Sequence, residues 1–343
     1  MQVTLVFPPS WIPSQPFSSL PSLQAFLRRE GIEDVSIRDL NIEIMDILLS
    51  REKAEETYAR LDERLRGDRK SFRNGINELE ESTRLIWAKE VIEGEDMIQR
   101  VEWAKATLRS ERFYNIEDYV ESWKIIDRWL QAYGILYYPA EIMIADNSMK
   151  YSVYSSSDIM AAANDVHENP YYDLFKGHIL DSIVKDEPSL VGISVTATSQ
   201  VIPAFTLARL LRERSRDIHI TVGGSLFTKL IENLQGPHML FELVDSFIVF
   251  EGEHALLELI EQLEGKKGFS KVPNLIYRKN GQTRVNEPFF IEDINSLPTP
   301  DYDGFPLELY LSPMRVLPLQ GSRGCYWGNV HFVISMLITC ALD

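Results

Sequence analysis

Apolar positions along the chain switch between a period of two and a period near 3.6. Val3-Thr4-Leu5-Val6-Phe7 is β-rich and stops at Pro8-Pro9, which predicts a strand. Leu20, Leu23, Phe26 and Leu27 recur at helical spacing, and Gly31 stands where a C-cap would. Val35-Ser36-Ile37 then alternates toward Asp39-Leu40-Asn41. Strand, amphipathic helix and strand in this order predict a parallel sheet.

The rhythm then stops. From Ile42 to about Tyr138 the chain is charged and helix-prone. Ile116, Tyr119, Val120, Trp123, Ile126, Trp129, Leu130 and Tyr133 share one helical face. They read as a helical core; a lid over a site is the functional alternative, and the pattern does not decide. Residues 139–170 are rich in Ser and Asn and are expected to be irregular.

The rhythm resumes at Asp173. Leu174, Ile179, Ile183 and Val184 predict a helix, and Leu190-Val191-Gly192-Ile193-Ser194-Val195 a buried parallel strand. A helix over Ala204–Arg214 follows, with Pro203 in its first turn. Ile218–Val222 reads as a strand ending at Gly223-Gly224, and Leu226–Leu234 as a helix. Phe247–Phe250 is a strand meeting Glu251-Gly252-Glu253, and His254–Leu263 a helix closed by Gly265. The expected class is α/β: a Rossmann-like, doubly wound parallel sheet of five strands with a large helical insertion after the second.

A hairpin comes next. Leu275-Ile276-Tyr277 and Thr283-Arg284-Val285 flank Asn280-Gly281. Residues 286–313 hold five prolines and read as a connector. Arg315–Gln320 then looks like the first strand of a new domain with too little chain left for a core. The expected organisation is a Rossmann-like domain from 1–41 and 173–268, an insertion at 42–172, a hairpin and connector at 269–313, and a truncated domain start at 314–343.

Composition narrows the classes. The chain has 343 residues, 45% of them hydrophobic and 25% charged, which excludes a disordered or collagen-like polymer. A net charge of −16 argues against a nucleic-acid surface. The only cysteines are Cys325 and Cys340, so a disulfide scaffold is excluded. Met1–Phe7 lacks a basic leader and reads as a strand, not a signal peptide. The longest apolar stretch, Val330–Leu342, is too short for a membrane helix. A cytoplasmic protein without a membrane partner is expected.

In a doubly wound sheet the ligand lies beyond the carboxyl ends of the strands. The residues there are Pro9 and Ser10; Ser194, Thr196, Thr198 and Gln200; Gly223, Gly224 and Ser225; and Glu251, Gly252 and Glu253. Glycines admit close approach and hydroxyls offer neutral hydrogen bonds. Each glycine taken singly is equally a tight strand-to-helix turn; the set together points to a ligand edge. Pro8-Pro9-Ser10 stands where a dinucleotide fingerprint would, which disfavours a nicotinamide cofactor. Glu251 and Glu253 read either as catalytic acids or as partners of a helix dipole, the second being the better fit. The histidines His167, His178, His219, His238, His254 and His331 form no pair at metal-binding helical spacing, so no zinc site is expected.

These motifs together resemble radical S-adenosylmethionine enzymes with an amino-terminal cobalamin-binding domain. The likeness rests on Leu5-Val6-Phe7-Pro8-Pro9 with Leu20-Pro21-Ser22-Leu23, on Val191-Gly192-Ile193-Ser194, and on Val222-Gly223-Gly224 with Phe250-Glu251-Gly252-Glu253. It rests also on Leu297-Pro298-Thr299-Pro300-Asp301-Tyr302 leading to Ser322-Arg323-Gly324-Cys325-Tyr326-Trp327-Gly328. It covers most of residues 1–40 and 173–328, and the insertion has no clear counterpart. The resemblance implies cobalamin as a cofactor, and a [4Fe–4S] cluster with S-adenosylmethionine in an intact parent. Asp165-Val166-His167 matches part of the Asp-x-His-x-x-Gly cobalt-ligand motif of another cobalamin class, but Pro170 replaces its glycine, so it reads as chance.

The family's cluster needs three thiolates, and its sub-pattern is Cys-Tyr-Trp-Gly-x-Cys-x-Phe-Cys. Cys325 matches the first; Val330 and Val333 stand at the other two, and Cys340 is out of register. Read two bases out of frame, codons for Asn329 to Ile334 can encode Cys-Ala-Phe-Cys-Asp, so a frameshift is the expected cause. The expectation is an amino-terminal piece of a cobalamin-dependent radical enzyme, a methyltransferase or a related catalyst, inactive itself but able to bind a corrinoid. The alternatives are a non-catalytic cobalamin-binding or sensor module and a flavodoxin-like interaction domain. The substrate is not legible.

Overall fold

The computed structural model describes residues 1–68, 76–234, 239–265, 267–291 and 293–320. Strand β1 (Val3–Phe7) leads through helix α1 (Ser19–Arg29) to β2 (Val35–Asp39). The insertion follows as α2 (Leu40–Leu48), α3 (Arg51–Asp68), α4 (Ile76–Gly94), α5 (Met97–Leu108) and α6 (Ile116–Gly134). A small hairpin, β3 (Glu141–Ile142) and β4 (Asn147–Ser148), precedes α7 (Ser156–Asn164). Helices α8 (Pro170–Leu174) and α9 (Leu180–Lys185), joined by one π-helical turn, return the chain to the sheet.

The second half runs β5 (Leu190–Ser194), α10 (Val201–Arg214), β6 (His219–Gly223), α11 (Ser225–Lys229), α12 (Ile231–Leu234), β7 (Ser246–Ile248) and α13 (Glu253–Glu264). It ends in β8 (Leu275–Lys279) and β9 (Gln282–Val285). The sheet order is β2-β1-β5-β6-β7-β8-β9. Its first five strands are parallel and the last two antiparallel. The parallel part has the flavodoxin-like doubly wound order, with its switch point between β1 and β5. Helices α1 and α13 pack against each other, and α9 against α10.

The local causes are plain. All five residues of β5 are buried, as the apolar run requires of a central parallel strand. Asn280 and Gly281 both adopt positive φ, the conformation of a tight hairpin turn. Asp39 caps α2 by accepting from the amides of Asn41 (3.0 Å) and Ile42 (3.3 Å). The core is continuous from β1 into the insertion, where Trp129 donates from Nε1 to the Leu48 carbonyl at 2.8 Å.

Several expectations are corrected. The hairpin at 275–285 is not a separate unit: β8 pairs with β7, and the sheet has seven strands rather than five. Residues 139–170 are not irregular throughout, because Ile159, Ala162 and Ala163 give α7 a buried face. The helix expected over Leu226–Leu234 is broken in two around Leu230. Arg315–Gln320 forms no strand: it pairs with neither outer strand of the sheet, β2 or β9. The aromatic stripe on α6 is buried only from Ile125 on, while Ile116 and Val120 are exposed.

Candidate functional site

Sheet register creates a gap in the core. Leu5 lies beside Gly192, and Gly192 beside Thr221. One row further toward the carboxyl ends, Ser194 lies beside Gly223, and Gly223 beside Ile248. Alternation turns all these positions to one face, the face covered by α1 and α13. Two central strands thus present Gly, Ser, Thr and Gly where a packed layer carries branched aliphatics. A cavity of about 310 Å³ results between the sheet and the two helices.

Both helices aim their amino ends at this cavity. Ser18, Ser19 and Ser22 line it from α1, and Gly252 and Glu253 from α13. The N-cap residues, Ser18 and Gly252, give their helices no side-chain cap bond. Ser194 donates to Ser19 Oγ at 3.0 Å, joining sheet to helix across the opening. Phe17 forms part of the wall and stacks on Phe7 with ring centres 5.3 Å apart. Phe250 contributes from a left-handed backbone (φ 60°), held by its amide on Thr228 Oγ1 at 2.7 Å. Among the described residues, no Lys, Arg or His lines the cavity.

The walls leave no room for larger residues. A Cβ on Gly192 would come within 2.9 Å of Leu5 Cδ2, and one on Gly252 within 3.2 Å of Leu23 Cδ2. A Cβ on Gly223 would stand 3.0 Å from the Ile248 carbonyl oxygen. Gly224 has φ +109°, and a side chain there would collide with the Val195 backbone.

The structure divides the residues expected from sequence into two groups. Ser194, Gly223, Gly224, Glu251, Gly252 and Glu253 all line this one cavity. Pro9, Ser10, Thr196, Thr198, Gln200 and Ser225 do not. Ser10 is buried against the insertion, within 2.8 Å of Tyr171 Oη, and accepts from Asn147 Nδ2 at 3.2 Å. Gln200 is fully buried and staples two loops. Its Oε1 accepts from the Thr196 amide and hydroxyl (2.8 and 3.1 Å), and its Nε2 donates to the Pro8 carbonyl at 2.8 Å. These bonds tie the loop after β1 to the loop after β5, beside the cavity rather than on its wall. Thr198 and Ser225 are exposed outside it. Cys325, with Val330 and Val333, lies outside the described residues.

The two carboxylates differ. Glu251 accepts from the Ile291 amide at 2.5 Å, so it anchors the connector. Glu253 is buried in the first turn of α13, where a helix dipole favours it. Sequence reasoning missed Gly192, Thr221 and the Ser18-Ser19 pair. The signal for the first two was present: small residues at every second position of two adjacent strands.

No family model matches the chain, and no curated protein matches it. Among solved structures it is similar to the radical S-adenosylmethionine methyltransferase TsrM from Kitasatospora setae with cobalamin and a [4Fe–4S] cluster bound. That similarity has 13% identity and a TM-score of 0.36, over 87% of this chain and 31% of that one. The same enzyme with tryptophan substrate and a SAM analogue bound gives 14% identity and a TM-score of 0.35, over 84% and 30%. The chain thus spans less than a third of the solved chains it matches.

Elsewhere, a pocket in the insertion is lined by Arg60, Arg64 and His167. Its arginines are already paired, Arg60 with Asp173 at 3.1 Å and Arg64 with Glu81 at 3.1 Å. Asp165 caps its own turn through the amides of His167 (2.8 Å) and Glu168 (2.9 Å), remote from the cavity. Among the described residues, no cluster of His, Cys, Asp and Glu could hold a metal ion. No helix there is long and apolar enough to cross a membrane.

Proposed function

We propose that the cavity between the sheet and helices α1 and α13 is a corrinoid site, in a chain related to cobalamin-dependent radical S-adenosylmethionine enzymes. The observation that carries this is the lining: a glycine-walled slot at the carboxyl ends of β5, β6 and β7, with hydroxyls, helix amino ends and no cation. A nucleoside polyphosphate or dinucleotide carries several negative charges and would meet Glu251 and Glu253 without a Lys or Arg to offset them. A corrinoid is otherwise matched. Its rim is neutral amide, and its pendant nucleotide bears a single phosphodiester.

A cavity of about 310 Å³ suits the pendant nucleotide better than the whole corrinoid. Ser194 would hydrogen-bond the nucleotide from the sheet, Gly192 and Gly223 would let it reach the strands, and the first-turn amides of α1 would face its phosphate. When bound, such a group supplies a cobalt centre able to carry a methyl group. The chain's own part is to bind, orient and shield it.

Cys325 is the residue placed to give the first of three cluster thiolates, by resemblance alone. Valine at 330 and 333 cannot ligate iron, so this chain would bind the corrinoid without building a [4Fe–4S] cluster.

The test is titration of hydroxocobalamin into the protein, followed by visible absorbance and by co-elution in gel filtration. Saturable 1:1 binding is expected, weakened about a hundredfold in Ser194→Leu, which fills the slot. Absence of binding by the wild-type chain would leave a cofactor-free interaction domain as the better reading.

A further inference from the structure

A second cavity, of about 540 Å³, meets the first at Ser22, Glu253 and Gln320. Its far wall is not part of the sheet domain. It is the connector, with Asn295, Pro298, Thr299 and Pro300. That wall is pinned on both flanks. Upstream, the Phe289 amide donates to Asn274 Oδ1 at 2.7 Å, and the Ile291 amide to Glu251. Downstream, the Asp301 amide donates to the Pro21 carbonyl at 3.0 Å, and Gln24 donates to the Asp303 carbonyl at 2.8 Å. Arg28 pairs with Asp301, and Arg29 reaches the Ser296 carbonyl.

We propose that this second cavity is a subsite for the amide-bearing rim of the same ligand, so that the connector forms half of the binding site. The inference rests on the corrinoid reading and extends it. The chemistry of the wall favours carboxamides. Pro298 and Pro300 have no amide hydrogen, so the backbone there carries more acceptors than donors. Asn295 and Thr299 supply neutral polar side chains, and among the described residues no Lys or Arg lines the cavity. A rim of primary amides donates to such a wall; a rim of carboxylates has no cation to meet.

The two compartments can be separated with two ligands. Hydroxocobalamin has both rim and nucleotide; cobinamide keeps the amide rim and lacks the nucleotide. Asn295 and Thr299 are exposed, so substituting them leaves the core intact. Asn295→Ala and Thr299→Val should each weaken both ligands about three- to tenfold, the worth of one hydrogen bond, while Thr299→Ser stays near wild type. Ser194→Leu should weaken hydroxocobalamin by about a hundredfold and leave cobinamide unchanged, since only the nucleotide slot is filled. Hydroxocobalamin binding with wild-type affinity in both connector variants would overturn the subsite. So would failure of cobinamide to bind a wild-type chain that binds hydroxocobalamin. If hydroxocobalamin itself does not bind, the corrinoid reading fails, and this one with it.

Discussion

Tyr310 donates its phenolic hydrogen to the buried carboxylate of Asp39, joining the connector to the carboxyl end of β2. Asp39 is the N-cap of α2 at the same time, so one side chain holds the insertion's first helix and the connector's last turn. Arg109, from the end of α5, adds donors to the Leu309 and Tyr310 carbonyls. The connector is therefore fastened to the sheet and to the insertion at one point.

Burial raises Asp39 from its ordinary 3.8 to about 7, against the lowering effect of Tyr310 and the Ile42 and Asn41 amides. The folded state then binds a proton that the unfolded state releases, so this group's contribution to stability is full below about pH 4. It is lost as pH rises through about 7. Asp39→Asn should gain on the wild type steadily across that window and hold its gain above it. Urea midpoints at pH 4, 6 and 8 would show this; a gain independent of pH would contradict the shift.

His219 has the opposite sign. Burial lowers it from 6.5 to about 4, aided by Arg212 and opposed by Asp245. The unfolded chain takes up the proton first, so this contribution is present above about pH 6.5 and lost as pH falls toward 4. His219→Gln, still able to reach Ser246 Oγ, which His219 Nε2 meets at 2.9 Å, should lose less stability than the wild type on acidification. Between about pH 4 and 6.5 the two groups oppose each other in the native protein, and either substitution unmasks the other's slope.

Gln200→Ala should destabilise the fold by about 1–3 kcal/mol, because the Pro8 carbonyl and the Thr196 and Ala197 amides lose their buried partner. Thermal melts would measure it. Gln200→Glu keeps the acceptor but loses the donor to Pro8 and buries a charge, so it should be no less costly.

Reconstitution with iron and sulfide under reducing conditions should give no stable [4Fe–4S] absorbance, since Cys325 has valines at its partner positions. A stable cluster would contradict this. The nucleotide sequence past codon 328 gives a second check: cysteine codons are expected in the shifted frame, and their absence would remove the frameshift explanation.

Most of the sheet was legible because its strands announce themselves locally. The run from Leu190 to Val195 can only be buried on both faces, and Asn280-Gly281 can only be a turn. Ser194, Gly223, Gly224 and Gly252 at the cavity were legible for the same reason: strand-end position follows from strand position. The roles of Ser10 and Gln200 were not. Each is set by partners from remote sequence, Asn147 and Tyr171 for Ser10 and Pro8 for Gln200. A polar residue at a strand end looks the same whether it faces a ligand or a loop. The fate of the hairpin was hidden likewise, since only the finished sheet shows that β7 has an open edge for β8.

The insertion also sets an order of assembly. Strand β1 lies between β2 and β5, and Val3 pairs with Leu190. While the chain is being made, β1 can find β2 at once, but its other edge stays bare until the whole insertion has been synthesised. Helices α3 to α6 pack mostly on one another and can collapse during that interval. The return of β5 to a strand made long before is then a long-range step, and the all-buried strand Val3–Phe7 keeps one edge unpaired until it arrives.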